Sequence, residues 1–178
     1  MALKPTIYKF NVALSDIDAN RYLDLNLTLA QHPSETVERM MVRLLAFCIN
    51  AEDGLEFSRG LSNNEEPDLW QHSLDGQILK WIEVGEPSAE RLRKASRIAG
   101  LVQVYTFNSK SDTWWRQSCA EIEGLGIEVW QLQWQEIGQL AKLVQRTLSV
   151  SITISGQSAF VATDTGSAEI NWREMSAD

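Results

Sequence analysis

The chain holds only two cysteines and two histidines. Cys48 and Cys119 form no CxxC pair, and with His32 and His72 they give no spacing suited to zinc. Both cysteines fall inside helical patterns, where a reduced, buried thiol is the ordinary state. A disulfide framework is therefore excluded, and a cytoplasmic setting is expected. Positive charge is also scarce: 16 Lys and Arg stand against 24 Asp and Glu, a net charge of −8. That deficit argues against broad duplex binding, which is driven by neutralising phosphates, but leaves room for a local basic strip. No run of about 18 apolar residues is present, so no membrane span is expected. The start, Met1-Ala2-Leu3-Lys4-Pro5, lacks the apolar stretch of a signal peptide. Ser-His-Asp order, a P-loop and GxGxxG are missing too. The run Asp16-x-Asp18-x-Asn20 begins like a calcium loop. Arg21 then stands where glycine is required and Leu27 where glutamate is required, so the run reads as a turn.

What is present reads as one domain of 178 residues, long enough for a real core. Residues 6–31 form a β-hairpin, with strands over Thr6–Leu14 and Tyr22–Gln31. Pro33-Ser34-Glu35 opens a helix over about 34–51, with Val37, Met40, Met41, Leu44, Leu45 and Cys48 at helical spacing. His32 belongs to the start of that helix. Leu55–Ser58 is a short strand and Asn63–Glu66 a polar loop. A second hairpin follows. Pro87 starts another helix, ending before Gly100. Val102–Phe107 is a strand, Asp112 or Thr113 opens a helix to about Glu123, Ile127–Gln131 is a strand, and Glu136–Gln145 is helical. The tail, 147–173, is rich in Val, Ile, Thr and Ser and reads as β-ribbon. The expected whole is an α/β core over about 34–145 with a mixed sheet, flanked by β-strands at both ends. Trp114, Trp115, Trp130 and Trp134 are expected in the core rather than stacked on bases.

The second hairpin, from Pro67-Asp68 to Glu83, carries the most chemistry. Asp75-Gly76 is a strong two-residue turn signal. Read that way, Trp70 faces Trp81 and Asp68 faces Glu83, with the two carboxylates on one face and their Cβ atoms roughly 4.5–5.5 Å apart. Like charges so placed are destabilising unless a cation or a shared proton joins them. Magnesium keeps its waters and accepts as few as two carboxylates, so a Mg2+ site, with Mn2+ as a substitute, is the first reading. Such a metal activates water and stabilises charge on a phosphate. The following helix carries Arg91, Arg93, Lys94 and Arg97. Arg91 and Lys94 share a face that suits a phosphate, and solvation of the helix is the alternative. Arg59, just after a strand, fits phosphate binding or pairing with Glu38 equally.

Pro67-Asp68 followed by a strand bearing Glu83 resembles the PD-(D/E)XK nuclease core, with its helix, three strands, helix, strand order. More specifically, His32-Pro33-Ser34-Glu35-Thr36, Glu38-Arg39-Met40-Met41, Arg59-Gly60-Leu61, Trp81-Ile82-Glu83, Arg91, Lys94-Ala95 and Trp114-Trp115 are similar to the YaeQ family, over essentially the whole chain. The resemblance implies a bacterial protein with a restriction-endonuclease-like core. It implies Asp68 and Glu83 as Mg2+ ligands, and a carboxylate from the first helix, Glu38, beside them. In the nuclease pattern a lysine stands two residues after the glutamate; here that position is Gly85. Lys80 lies on the other face of its strand. The resemblance then implies Lys94 as a relocated lysine.

Two functions follow as expectations, beside a purely structural module in which Asp68 and Glu83 share a proton. One is a Mg2+-dependent phosphodiesterase acting on nucleic acid, with the acidic charge favouring a narrow substrate such as an end, a single strand or a structured RNA. The other is a non-catalytic protein that keeps the nuclease fold and binds an unidentified protein partner.

Overall fold

A computed structural model describes residues 3–59 and 63–176. Gly60 and Leu61, part of the Arg59-Gly60-Leu61 motif, lie outside the described residues. The chain divides into two compact units, one of residues 1–49 and 133–172 and one of residues 50–132 and 173–178. Both are mixed α/β, and among the described residues no helix is long and apolar enough to cross a membrane.

In the first unit, β1 (Thr6–Asp16) and β2 (Arg21–Gln31) pair antiparallel through eleven successive partners, from Thr6↔Gln31 to Asp16↔Arg21. The acidic run between them is a turn, as expected: Asp16 Oδ1 accepts the Ala19 amide at 3.2 Å. The two end segments, expected as separate additions to a core, pair with each other. β1 runs parallel to β8 (Thr147–Ser155), from Lys9↔Thr147 to Asp16↔Ile154. β9 (Ser158–Thr163) and β10 (Gly166–Glu174) follow as an antiparallel meander. Alternation does the sorting: Phe10, Val12, Leu14, Val150, Ile152 and Ile154 are buried, while the residues between them are mostly exposed.

α1 (Val37–Ile49) and α4 (Trp134–Ala141) pack together in this unit. α1 starts three residues later than Ser34, because the Thr36 hydroxyl accepts the Arg39 amide at 3.1 Å and so caps the helix. Every residue from Met40 to Cys48 is buried, including Arg43. A guanidinium in an apolar helix needs a counter-charge. Glu35 supplies it, taking Arg43 on both carboxylate oxygens (2.6 and 2.9 Å) and Arg39 at 2.6 Å, while Arg43 also reaches the Ala30 carbonyl at 3.0 Å. Glu35 is thus the anchor of the turn between β2 and α1.

The second unit holds β3 (Leu55–Phe57), β4 (Leu69–His72), β5 (Ile78–Val84), α2 (Ala89–Ile98), β6 (Ala99–Thr106), α3 (Ser111–Ile122) and β7 (Glu128–Leu132). The strands lie side by side in the order β7-β6-β5-β4-β3. β3, β4 and β5 are antiparallel neighbours; β5, β6 and β7 are parallel. Trp81, Val102, Val104 and Val129 on one sheet face pack with Leu92 and Ala95 of α2 and Ile122 of α3. Trp114 and Trp115 lie against that cluster, as expected of core aromatics. Trp134, in the other unit, is 41% exposed and departs from that expectation.

Replacing Glu35 with alanine removes the carboxylate that both arginines hold. The expected cost is about 3–5 kcal/mol, read from urea unfolding at neutral pH. A loss below about 0.5 kcal/mol, the range of a neutral surface change, would rule out the anchoring role.

Candidate functional site

The site forms where β4 begins and β5 ends. The expected facing of Trp70 and Trp81 holds, with Leu69↔Ile82 and Gln71↔Lys80 on either side. The path to that register differs from the one expected. The turn is not a two-residue loop. Ser73 donates its amide to Gln77 and accepts the Gly76 amide, and Gly76 has φ of 87°. This is a three-residue loop ending in a left-handed glycine. His72 then pairs with Ile78, and the register shifts between Gln71 and His72, leaving Leu79 as the extra residue on β5. The longer loop and the bulge displace the strands by one residue in opposite senses, so they cancel before Trp70.

Asp68 stands one residue ahead of β4. Its amide donates to the Ile82 carbonyl at 3.0 Å, and its Oδ2 accepts the Val84 amide at 2.8 Å. Glu83 is next to last on β5. Both carboxylates are buried, at 4% and 6% exposure. Burial raises the Glu83 pKa above the ordinary carboxylate value, and the neighbouring Asp68 charge raises it further; Arg91 and the Trp81 indole pull it down. The expected like-charge pair is therefore assembled.

The cation beside it is Arg91. Its Nε donates to Glu83 Oε1 at 2.6 Å, Nη1 to the Asn64 carbonyl at 2.5 Å and Nη2 to the Glu66 carbonyl at 2.7 Å. The guanidinium lies 6.0 Å from the centre of the Trp81 ring. Trp81 Nε1 donates to the same Glu83 oxygen at 2.9 Å. Arg91 is aimed by the start of α2: Ser88 caps the helix by accepting the Arg91 amide at 3.2 Å. Three donors on one guanidinium tie β5, α2 and the 64–66 loop together. The Trp81–Glu83 contact had a signal in the sequence, since residues two apart on a strand share a face. The loop carbonyls had none.

Lys94, Arg59 and Glu38 are the other expected site residues. Lys94 is exposed, and its Nζ lies 3.4 Å from Glu90 Oε1. It lines a cavity of about 380 Å³ together with Trp81, Ser88, Arg91 and Ile98. Arg59 lies 3.8 Å from Glu66 Oε1, and its amide donates to Glu66 Oε2. Glu38 is in the first turn of α1, in the first unit. Among the described residues no group of three or more His, Cys, Asp or Glu side chains is arranged around a common metal position. Gly85, where the nuclease pattern has lysine, has φ of 115°, a backbone state that side-chain-bearing residues rarely adopt. Its amide is held by the Tyr105 carbonyl at 2.9 Å.

The YaeQ protein family model matches residues 1–172. The chain is 38% identical over 181 residues to a protein of Escherichia coli (strain K12) described as "Uncharacterized protein YaeQ", covering 99% of this chain and all of that one. It is 40% identical over 183 residues to the protein of the same description from Salmonella typhi, with 99% and 100% covered. Among solved structures, the YaeQ protein from Xanthomonas axonopodis pv. citri superposes with a TM-score of 0.92 at 36% identity, covering 98% of this chain and 99% of that one. The YaeQ protein from Pseudomonas syringae gives the same score and identity, over 98% and 97%.

Two outcomes follow from the geometry. Gly85→Lys puts a lysine where the nuclease pattern has one but places a side chain on a left-handed backbone. The expected cost is about 1–3 kcal/mol, read from the thermal midpoint, and an unshifted midpoint would show that the loop accepts a side chain. The second concerns pH. Folded Glu83 holds its proton above the ordinary carboxylate value of 4.5, so the native state binds more protons than the unfolded chain just above that pH. Its contribution is fully present below 4.5 and is lost as pH rises through the folded value. Glu83→Gln removes that loss, so its stability relative to wild type should climb as pH rises from 4.5. Urea titrations at successive pH values check this, and a flat difference would contradict it.

Proposed function

The chain belongs to the YaeQ family, and from that membership together with the buried carboxylate pair we propose that it is a magnesium-dependent phosphodiesterase of the PD-(D/E)XK type acting on nucleic acid. The order β3-β4-β5-α2-β6, with a meander followed by a parallel strand, supports the nuclease-like reading of the second unit. One observation carries the proposal. Asp68 and Glu83 are buried side by side at adjoining strand ends, an arrangement that costs stability unless positive charge stands between them.

The donor set fits a magnesium ion. Trp81 and Arg91 both bond Glu83 through Oε1, and Oε2 has no partner among the described residues. Two carboxylates suffice for a cation that keeps most of its waters. Asp68 and Glu83 would hold Mg2+, or Mn2+ in its place, and the metal when bound supplies a Lewis acid and a more acidic water. Arg91 steadies the Glu83 carboxylate and puts positive charge on the cavity wall. Lys94, three residues along the same helix, puts an amine on that wall for the phosphate or the attacking water. Arg59, exposed beside Glu66, adds a further cation of the same unit for the phosphate. A cavity of about 380 Å³ suits a nucleotide-sized group. With a net charge of −8, an end, a single strand or a structured RNA is the favoured substrate. The free, buried Cys48 accords with a cytoplasmic setting.

A second reading rests on Gly85 and Arg91. The lysine position has a backbone that side-chain-bearing residues rarely adopt, and the guanidinium already pairs with Glu83. On that reading the protein keeps the fold and serves as a non-catalytic partner of another protein.

Manganese titration separates the two. Trp81 touches Glu83, so its fluorescence should change saturably with Mn2+ in the wild type and not in Asp68→Asn plus Glu83→Gln. On a panel of DNA and RNA substrates, Lys94→Met should lower turnover roughly 100-fold or more while leaving the manganese titration in place. A wild type with neither a metal response nor cleavage would favour the non-catalytic reading.

A further inference from the structure

β2 is the end strand of its sheet. Its edge can be read residue by residue from the ladder beside it. On β1, the Lys9 amide bonds the Arg146 carbonyl, and the Ile17 amide just beyond the strand bonds the Ile154 carbonyl, so odd-numbered residues point toward β8. Strand groups alternate, so the even residues of β1 bond β2. The register then assigns the odd residues of β2 to β1, and Tyr22, Asp24, Asn26 and Thr28 direct their amides and carbonyls outward. Ala30 points outward as well, and there the edge is closed: its carbonyl takes Arg43 at 3.0 Å. The open stretch is Tyr22–Thr28.

Apart from the Asp24 charge, nothing in that stretch blunts it. It carries no proline and no lysine, and the β1 ladder runs past it without a register shift. Its inward face is apolar and incompletely covered. Leu29 is buried, Leu27 and Leu25 are half-buried, and Leu23 is 37% exposed. On the outward face Tyr22 is 63% exposed.

We propose that two copies of this chain pair antiparallel through β2, about a two-fold axis at Leu25. Registers that set odd residues against even ones place the leucine face of one copy on the polar face of the other. A register centred on Asp24 sets two aspartates against each other. One centred on Asn26 draws in Ala30, whose carbonyl Arg43 holds. Centring on Leu25 uses all four outward residues and no others: Tyr22 exchanges backbone bonds with Thr28 of the second copy, and Asp24 with Asn26. On the inward face Leu25 meets Leu25, and Leu23 meets Leu27, covering the leucines that the single chain leaves half-exposed. The polar pairs are compatible, with an aromatic against threonine and a carboxylate against an amide.

The test uses the full chain carrying Cys119→Ser. Leu25→Cys places two thiols in one non-hydrogen-bonded pair, with Cα atoms about 4.5 Å apart, within reach of a disulfide. It should yield a covalent dimer under mild oxidation, whereas Leu23→Cys should not, because its opposite is Leu27. Equal linking at both positions would overturn the register. Two charge variants read the same contact without cysteine. Asn26→Asp sets carboxylates opposite Asp24 twice per dimer and should weaken the dimer roughly two- to thirtyfold, while Asn26→Lys should tighten it. Sedimentation of a dilution series reads both. A monomeric wild type throughout, or a dimer indifferent to both charges, would overturn the proposal.

Discussion

Burying two carboxylates together is the constraint around which the second unit is arranged. Asp68 and Glu83 are almost wholly buried, and the Asp68 charge raises the cost of a charge on Glu83. The structure meets that cost with several modest contacts. Asp68 takes the Val84 amide, Glu83 takes the Trp81 indole, and Arg91 brings a full positive charge at 2.6 Å. The rest follows from where Arg91 must stand. α2 begins at the Ser88 cap so that its first turn lies beside the end of β5, and the 64–66 loop turns two carbonyls onto the same guanidinium. An ion pair, a helix start and a loop are thus one structural element.

The first unit contains the same solution with the roles reversed. There an arginine, Arg43, lies in a helix that is apolar on every side, and a buried carboxylate, Glu35, is brought to it from the turn before the helix. Arg43 also holds the Ala30 carbonyl, which sets how far along β2 the sheet edge stays open. Both sites use guanidinium because its fixed fork can serve a carboxylate and backbone carbonyls at once, which an ammonium does less well. The difference lies in exposure. Arg43 is enclosed, whereas Arg91 keeps part of its surface on a cavity wall beside Lys94. That exposure makes the second cluster a candidate for chemistry and the first a matter of stability.

Much of the local structure was legible in the chain. Helical spacing marks α1 and α2, alternation marks β1 and β8, and Asp75-Gly76 marks a hairpin. The Trp70 and Trp81 pairing follows from that hairpin, though through a loop of different length. Glycine at 76 permits both a two-residue turn and a three-residue loop, and the choice is made by whether a compensating bulge at Leu79 fits the sheet. The start of α1 was misplaced because Ser34 and Thr36 are both good caps, and only the backbone path decides which hydroxyl meets an amide.

The sequence by itself determined which carboxylates would share a strand pair, which helix would carry the basic residues, and that the lysine of the nuclease pattern is absent at Gly85. These depend on spacing along one or two strands and one helix, where geometry is nearly invariant. Tertiary structure alone decided that β1 pairs with β8 and that Arg91, not Lys94, reaches Glu83. It also decided that the main-chain carbonyls of Asn64 and Glu66 complete its coordination. Such contacts join residues far apart in the chain, and carbonyls are common to every residue. Nothing in residue identity marks them until packing has set the distances.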